Sequence, residues 1–493
     1  MSKIIIQNGN MCELDLPLKF AQKLYNEFAI RHPNAFYLRT RQRGMQNWDG
    51  KIHYITKTGQ FKIGLLPKVY DMCIEMGIKP KVVDMRQPLP KVSKVVTKIG
   101  KYKLRPEQEK AVKAVINNTI GGKPFHIGVL DYTVNAGKTL IMSSLYLTYK
   151  KQLKTLLITN DSDWLNQARE EFKQYLPGED ITFVQGKVLN WSNFTIGMVQ
   201  SISRNMRFYQ KELSQIDMVL IDEADQGGSK QYQNVITRLF NTRIRIGLSG
   251  TIYMSKLAKD RVKNMNLECF FGKVLAEFKL KDSIKKGYST KTVVKMVPGK
   301  PWYGNWESDC ISYKEIYDDS ITLNRYARKM AYARLRWNIN QGRYPALVVC
   351  KHIAHCENLY KFFKKKLGDA YNIAYVHVNT PSKLRQQIMK GFREGKIDIL
   401  VSTTIIARGK NFPKLRYLLN AASMDSQEKS IQFLGRLVRT DKSKKKVYLD
   451  DLHYPGNYLD RHGKHRKQYY QRQELKVILL DKLWKKHPNH SLI

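Results

Sequence analysis

Thr133-Val134-Asn135-Ala136-Gly137-Lys138-Thr139 is the stretch whose reading decides the fold. It follows the apolar run Ile127-Gly128-Val129-Leu130 and opens a segment of helical character from Leu140 to Tyr149. A strand, a tight loop and a helix in that order point backbone N–H groups and a helix N-terminus at an anion. Gly137 lets the backbone approach a phosphate, with Asn135 and Ala136 completing the cradle. Lys138 offers charge to the β and γ phosphates of a nucleotide, and the Thr139 hydroxyl is a magnesium ligand. The first glycine of the GxxxxGK[ST] pattern would fall at Tyr132, so the loop takes its meaning from what comes after it.

What comes after is Val219-Leu220-Ile221-Asp222-Glu223-Ala224-Asp225. Two carboxylates behind a four-residue apolar run sit where a buried parallel strand meets solvent. Asp222 is placed to hold Mg²⁺, and Glu223 to orient and deprotonate an attacking water. Far downstream, Gln432-Phe433-Leu434-Gly435-Arg436-Leu437-Val438-Arg439 puts two arginines three apart on an expected helix, hence on one face. Arg436 is read as a cation reaching the γ phosphate and Arg439 as a sensor of its loss. The three motifs together describe ATP hydrolysis between two domains.

The 493 residues carry 86 Lys plus Arg against 42 Asp plus Glu, a net charge of +44 spread over the whole chain. A field of that sign and extent calls for a polyanionic partner, nucleic acid before others. The six cysteines, Cys12, Cys73, Cys269, Cys310, Cys350 and Cys356, form no CxxC pair and no disulfide-like spacing, which fits a reducing cytoplasm. No signal-peptide core and no bilayer-length apolar run is visible.

Short β-rich runs alternate with helical stretches in two series. The first includes 155–159, 194–199, 218–221 and 244–248, and the second 292–297, 346–350, 397–402, 417–420 and 446–449. Each series predicts a parallel sheet covered by helices, an α/β fold. The domains expected are 1–97, a small α+β nucleic-acid-binding unit ending at Pro88-Leu89-Pro90; 98–278, the ATP-binding domain; 279–455, a second α/β domain; and 456–493, a short basic helical extension with a helix from Leu475 to Trp484.

With those motifs in place, the chain resembles the superfamily 2 helicases from Leu104 to Leu452, and among them the phage UvsW-type branched-DNA recombination helicases. Leu104-Arg105-Pro106-Glu107-Gln108 resembles the adenine-contacting element, which implies that Gln108 binds the base. Thr159 and Gln167 fall in motif Ia, Gln200-Ser201 in Ib, Ser249-Gly250-Thr251 in III, Lys351-His352 in IV, and Thr403 with Arg408-Gly409 in V. The resemblance implies two tandem RecA-like domains, ATP and Mg²⁺ as cofactors, strand contacts through Gln200, Ser201, Lys351, His352, Thr403 and Arg408, and coupling through Ser249, Thr251, Gly409 and Gln432. Asp222 to Asp225 spell DEAD, yet Ser249-Gly250-Thr251 and Gln432 depart from the DEAD-box pattern. The implied substrate is branched or forked DNA, with RNA–DNA hybrids as a further one, for a monomer of phage origin in the host cytoplasm. An RNA helicase, a restriction-type motor subunit and a passive recombination scaffold are the alternatives.

In the first hundred residues, Arg39, Arg41, Arg43 and Lys51 are interleaved with Tyr37, Trp48 and Tyr54. Cations suit phosphate and rings suit unpaired bases, although Trp48 and Tyr54 are equally suited to a small core. The Cys350, His352, His355, Cys356 group lacks zinc-site spacing and is read as core and strand contact. Lys442, Lys444, Lys445 and Lys446, and then Arg461, Lys464, Arg466 and Lys467, are read as solvated runs with duplex contact as the alternative.

Overall fold

The structure is a computed structural model that describes residues 2–42, 44–92, 94–149, 152–186, 190–253, 260–299, 312–407, 412–425, 427–441 and 443–480. The chain divides into two compact units, Met1–Phe278 and Lys279–Ile493. Each is organised by a seven-stranded, all-parallel sheet. Among the described residues no helix is long and apolar enough to cross a membrane.

In the first unit the strands run, edge to edge, Ile181–Val184, Phe194–Met198, Thr155–Thr159, Met218–Asp222, Ile244–Ser249, His126–Tyr132 and Val274–Phe278. The central strands are buried at every position, as continuous apolar runs covered on both faces must be. This register brings the ends of the phosphate-loop strand, Asp222 and Ser249 to one carboxyl edge of the sheet, the edge where open α/β sheets bind ligands.

Residues 1–97 fall within this compact unit and carry a sheet of their own. Gln60–Lys62, Met11–Asp15, Lys3–Ile6 and Lys81–Asp84 form a four-stranded sheet. Its buried side chains, Ile4, Ile6, Cys12, Leu14 and Phe61, belong to one continuous core with Ile127, Val129, Leu239 and Phe271. The fully buried Arg245 guanidinium bolts the layers together, donating to Gly9 O at 2.6 Å, Asn10 Oδ1 at 2.7 Å and Phe270 O at 3.1 Å. Gly64 packs so close that a β-carbon there would lie 2.0 Å from Glu268 O. Removing residues 1–97 would leave Arg245 without two acceptors and uncover a core in which each large apolar side chain contributes roughly 1.5–3 kcal/mol. Such a truncation is expected to aggregate, and gel filtration of the truncated chain checks it.

In the second unit the order is Ile373–Val376, Ile399–Thr403, Ala346–Cys350, Tyr417–Asn420, Lys446–His453, Lys291–Pro298 and Lys476–Leu479. The basic tail departs from expectation. Its helix is Asn457–Arg472, and the segment beginning at Leu475 supplies the edge strand Lys476–Leu479. Nor is the tail merely solvated: Arg466 is wholly buried, pairs with buried Asp451 at 2.8 Å and donates to Met424 O and Leu452 O. Tyr470 and Asn420 donate to the other Asp451 oxygen at 2.7 and 2.9 Å. Arg466→Ala strands a buried carboxylate and is expected to cost the second unit about 3–5 kcal/mol, measurable as a lowered urea midpoint. Lys444 is also buried, its ammonium donating to Leu415 O and Leu437 O at 3.0 Å, and burial pushes its pKa down to about 8.

Candidate functional site

The loop after His126–Tyr132 is held in a conformation most side chains avoid. Asn135 has φ 63° and Gly137 φ 72°, and the helix Lys138–Thr148 begins at once. A β-carbon on Gly137 would lie 2.3 Å from Gln108 Nε2 and 3.3 Å from Arg105 Nη2, so both torsion and space require glycine. Gln108, buried, donates to Ala136 O at 2.9 Å and accepts from Arg105 N, while Arg105 Nη2 donates to Asn135 O at 3.1 Å. In this arrangement Gln108 braces the loop, and its amide is engaged there, where a base contact was expected. Tyr132, in place of the usual first glycine, is a buried strand residue whose hydroxyl donates to Glu107 O at 2.7 Å. Gly137→Ala is expected to cost roughly 1–2 kcal/mol in backbone strain and to weaken nucleotide binding through the displaced Gln108. Thermal melting and a nucleotide titration test both parts.

Lys138 Nζ stands 3.7 Å from Asp222 Oδ1 at the end of the Met218–Asp222 strand. Burial raises the Asp222 pKa, the Lys138 charge opposing it and Asp225 and Asp161 adding to it. Glu223 follows with a left-handed backbone, φ 53°, a torsion rare outside glycine and concentrated at functional sites. Burial first, then the neighbouring charges of Asp222 and Asp225, push the Glu223 pKa up to about 8. Among the described residues, Lys138 shares this pocket with the carboxyl groups of Asp222, Glu223, Asp225 and Asp161. That donor set fits a hard cation held by Asp222 and the Thr139 hydroxyl, since Mg²⁺ takes one or two protein oxygens and fills its shell with water and phosphate.

Motif III is wired to this pocket. Ser249 Oγ donates to Asp225 Oδ1 at 2.7 Å, Thr251 N donates to Ser249 Oγ at 3.1 Å, and the two hydroxyls lie 3.1 Å apart. Asp225, Arg105 and Asp161 belong to the site and were absent from the expected set. The spacing of Asp225, two residues past Glu223, was the available signal; Arg105 and Asp161 become visible only once the chain is folded.

In the second unit the helix Gln427–Leu437 ends before Arg439, so Arg436 lies in its last turn and Arg439 beyond it, off the single helical face expected. The helix stops where its last carbonyls find other donors: Lys444 Nζ takes Leu437 O, Thr290 N takes Val438 O and Thr290 Oγ1 takes Arg439 O. Arg43, Arg408, Gly409 and the Gln432 side chain lie outside the described residues.

The expected strand-contact residues collect at carboxyl edges. Thr159 pairs in register with Met198, just before Gln200 and Ser201. Gln200 Nε2 donates to Asn160 O and Ser201 Oγ accepts from Gly186 N, so both side chains fix loops at that edge. Across the second sheet Cys350 is opposite Thr403, which sets Lys351 and His352 beside the motif V strand end. Lys351 Nζ lies 3.9 Å from the Tyr313 ring centroid, His352 packs edge-on against Tyr317, and buried His355 meets the Tyr317 hydroxyl at 3.2 Å. Near the N-terminus Arg39, Arg41 and Lys51 are exposed. Trp48 is half-buried with its indole N–H on Lys51 O, and Tyr54 packs on the core and donates to Asn266 Oδ1.

A phosphate loop and paired carboxylates on one parallel sheet, followed by a second sheet of the same kind, define a two-domain nucleotide-driven motor. Residues 101–254 match the family described as type III restriction enzyme, res subunit, and residues 330–441 match the helicase conserved C-terminal domain. The putative ATP-dependent helicase IRC3 of Saccharomyces cerevisiae is 24% identical over 377 residues, covering 71% of this chain and 51% of the relative. The ATP-dependent DNA helicase uvsW of Enterobacteria phage T4 is 21% identical over 474 residues, covering 88% and 90%. Among solved structures, a fragment of a putative HsdR subunit of a type I restriction enzyme from Vibrio vulnificus YJ016 aligns with TM-score 0.58 at 15% identity, over 88% of this chain and 78% of that one. The chain thus spans about half the length of the yeast relative and most of the phage one. These matches, neither family model spanning half of the chain, support an ATP-dependent helicase of superfamily 2 with two tandem RecA-like domains.

Proposed function

We propose that this chain is an ATP-driven DNA translocase that remodels branched or forked DNA, as unwinding, branch migration or annealing, in phage replication, recombination or repair within the host cytoplasm. The observation that carries the reading is the constellation of Lys138, Asp222 and Glu223, wired through Asp225 to Ser249 and Thr251. Lys138 and the loop N–H groups would hold the terminal phosphates, and Glu223 would take the proton of the attacking water. Mg²⁺ held by Thr139 and Asp222 would supply charge compensation for the phosphates. Loss of the γ phosphate would then alter the Asp225–Ser249 contact and, through motif III, the grip at the carboxyl edge.

DNA as the substrate is supported by the DNA helicase name of the phage relative that aligns over nine tenths of its own length, and a polyanionic partner by the net charge of +44 and by the exposed Arg39, Arg41 and Lys51 of the 1–97 layer; the preference for branched DNA is the part that the following experiment decides. Phosphate release is to be measured with four-way DNA, forked DNA, plain single strands and structured RNA in parallel. Strongest stimulation by junction DNA is expected. Stimulation by RNA alone would turn the reading to an RNA helicase, and no stimulation by any of them to a passive scaffold.

A further inference from the structure

One face of the second sheet gathers cations at the edge away from Lys351 and Thr403. Lys291, Lys446 and Lys476 stand exposed at the amino-terminal ends of three neighbouring strands, the opposite edge from Lys351 and Thr403. Lys291 is directly opposite Lys446, and Lys476 is opposite Val293, so all three point to the same face. Neighbouring strands are about 4.8 Å apart, so Lys291 and Lys446 are side by side, and Lys476 lies one strand over and two residues further along.

Lys295 lies on the same face four residues along the strand from Lys291, and Trp337, 41% exposed, holds it. The Lys295 ammonium is 4.6 Å from the Trp337 centroid, with the guanidinium groups of Arg343 and Arg334 at 4.7 and 5.0 Å. Arg343 also lies 3.6 Å from the Tyr448 centroid, and Lys446 5.6 Å.

The arrangement is built outward from a single buried carboxylate. Asp450 Oδ2 accepts from Arg334 Nε at 2.7 Å and from Asn338 Nδ2 at 3.1 Å, and Asn338 Oδ1 accepts from Arg343 Nη1 at 2.8 Å. The cations are thus preorganised, with Asp450 as the acid held among them. Burial, then the charges of Arg334, Arg343 and Lys446, hold the Lys295 ammonium below its usual range against the pull of Asp450. Like charges are being held together, an arrangement that an anion relieves.

We propose that this face is a second nucleic-acid contact that takes the phosphate backbone of a duplex arm while the carboxyl edges handle the strand. It rests on the nucleic-acid reading above. Backbone contact is favoured over base stacking because the Trp337 and Tyr448 rings are already occupied by the protein's own cations. Each phosphate contact in a duplex adds about 0.9 to the slope of log K against log salt.

The test uses the full chain and the triple variant Lys291→Gln, Lys446→Gln, Lys476→Gln, titrated by fluorescence anisotropy against blunt duplex DNA and oligo-dT over a salt series. For duplex, affinity at low salt should fall on the order of tenfold and the slope should drop by about 2 to 3, with a smaller change on oligo-dT. An unchanged slope would make the cluster a structural scaffold, and an equal loss on both ligands would overturn the duplex assignment. Lysine acetylation footprinting of the wild-type chain gives a reading independent of the variant's folding. Protection of Lys291, Lys446 and Lys476 by duplex supports the contact, and full reactivity overturns it. A wild-type chain that binds neither ligand would instead remove the nucleic-acid reading itself.

Discussion

Lys138→Ala is expected to reduce nucleic-acid-stimulated ATP hydrolysis by on the order of a thousandfold or more, because the ammonium stands beside the Asp222 carboxylate and its proposed work is on the terminal phosphates. Its loss also removes the charge 3.7 Å from Asp222, so Asp222 holds its proton more strongly and the cation site loses its ligand. Nucleotide affinity should fall together with turnover. Glu223→Gln should separate the two, since the amide fills the same space but accepts no proton. Nucleotide binding is expected to persist with hydrolysis blocked. The raised Glu223 pKa gives this variant a second signature. Without nucleotide the folded protein holds that proton up to about pH 8 while the unfolded chain releases it near an ordinary carboxyl value, so stability declines as pH rises between the two. Glu223→Gln should flatten that decline, raising the melting temperature at pH 9 relative to wild type and leaving it nearly unchanged at pH 5. Near-wild-type phosphate release by Lys138→Ala would remove the site assignment, and normal hydrolysis by Glu223→Gln would remove the general base.

The parts legible in the sequence are those whose chemistry is local. Gly137-Lys138-Thr139 declares itself because a phosphate cradle needs one glycine torsion, one cation and one hydroxyl in succession. The buried central strands declare themselves because a strand covered on both faces is a near-continuous apolar run. Edge strands escaped: Ile181–Val184 and Ile373–Val376 are only partly buried, and Lys476–Leu479 is exposed at both ends, so neither continuity nor clean alternation marks them. Charge was the least legible property. Arg245, Lys444 and Arg466 look like three more basic side chains in a chain rich in them, yet each is buried on carbonyls or a carboxylate supplied from elsewhere in the sequence. Gln108 shows the same gap. Its identity was readable, but its partner at Ala136 O depends on a packing of two helices against the loop that no local pattern encodes. The helix end before Arg439 was hidden for a related reason, since the donors that terminate it, Thr290 and Lys444, lie on other elements.

If Arg436 meets charge developing on the transferring phosphate, Arg436→Ala is expected to cut turnover by on the order of a thousandfold while leaving ATP affinity within a few fold. The local structure adds a contrast with Arg439. Arg436 sits in the last turn of the Gln427–Leu437 helix, where a cation is favoured by the helix dipole. Arg439 lies past the helix end, on a segment tethered through its own carbonyl to Thr290 at the start of the Lys291–Pro298 strand. The two arginines are therefore carried by different local elements and need not move as one. If Arg436 is the finger and Arg439 the sensor, Arg439→Ala should lower the coupling of DNA binding to nucleotide state more than it lowers the chemical step. Single-turnover hydrolysis and DNA affinity, each measured with ATP and with ADP, separate the roles. A large loss of ATP affinity with little loss of turnover in Arg436→Ala would make that residue a ground-state contact, and identical behaviour of the two variants would return both arginines to a single functional face.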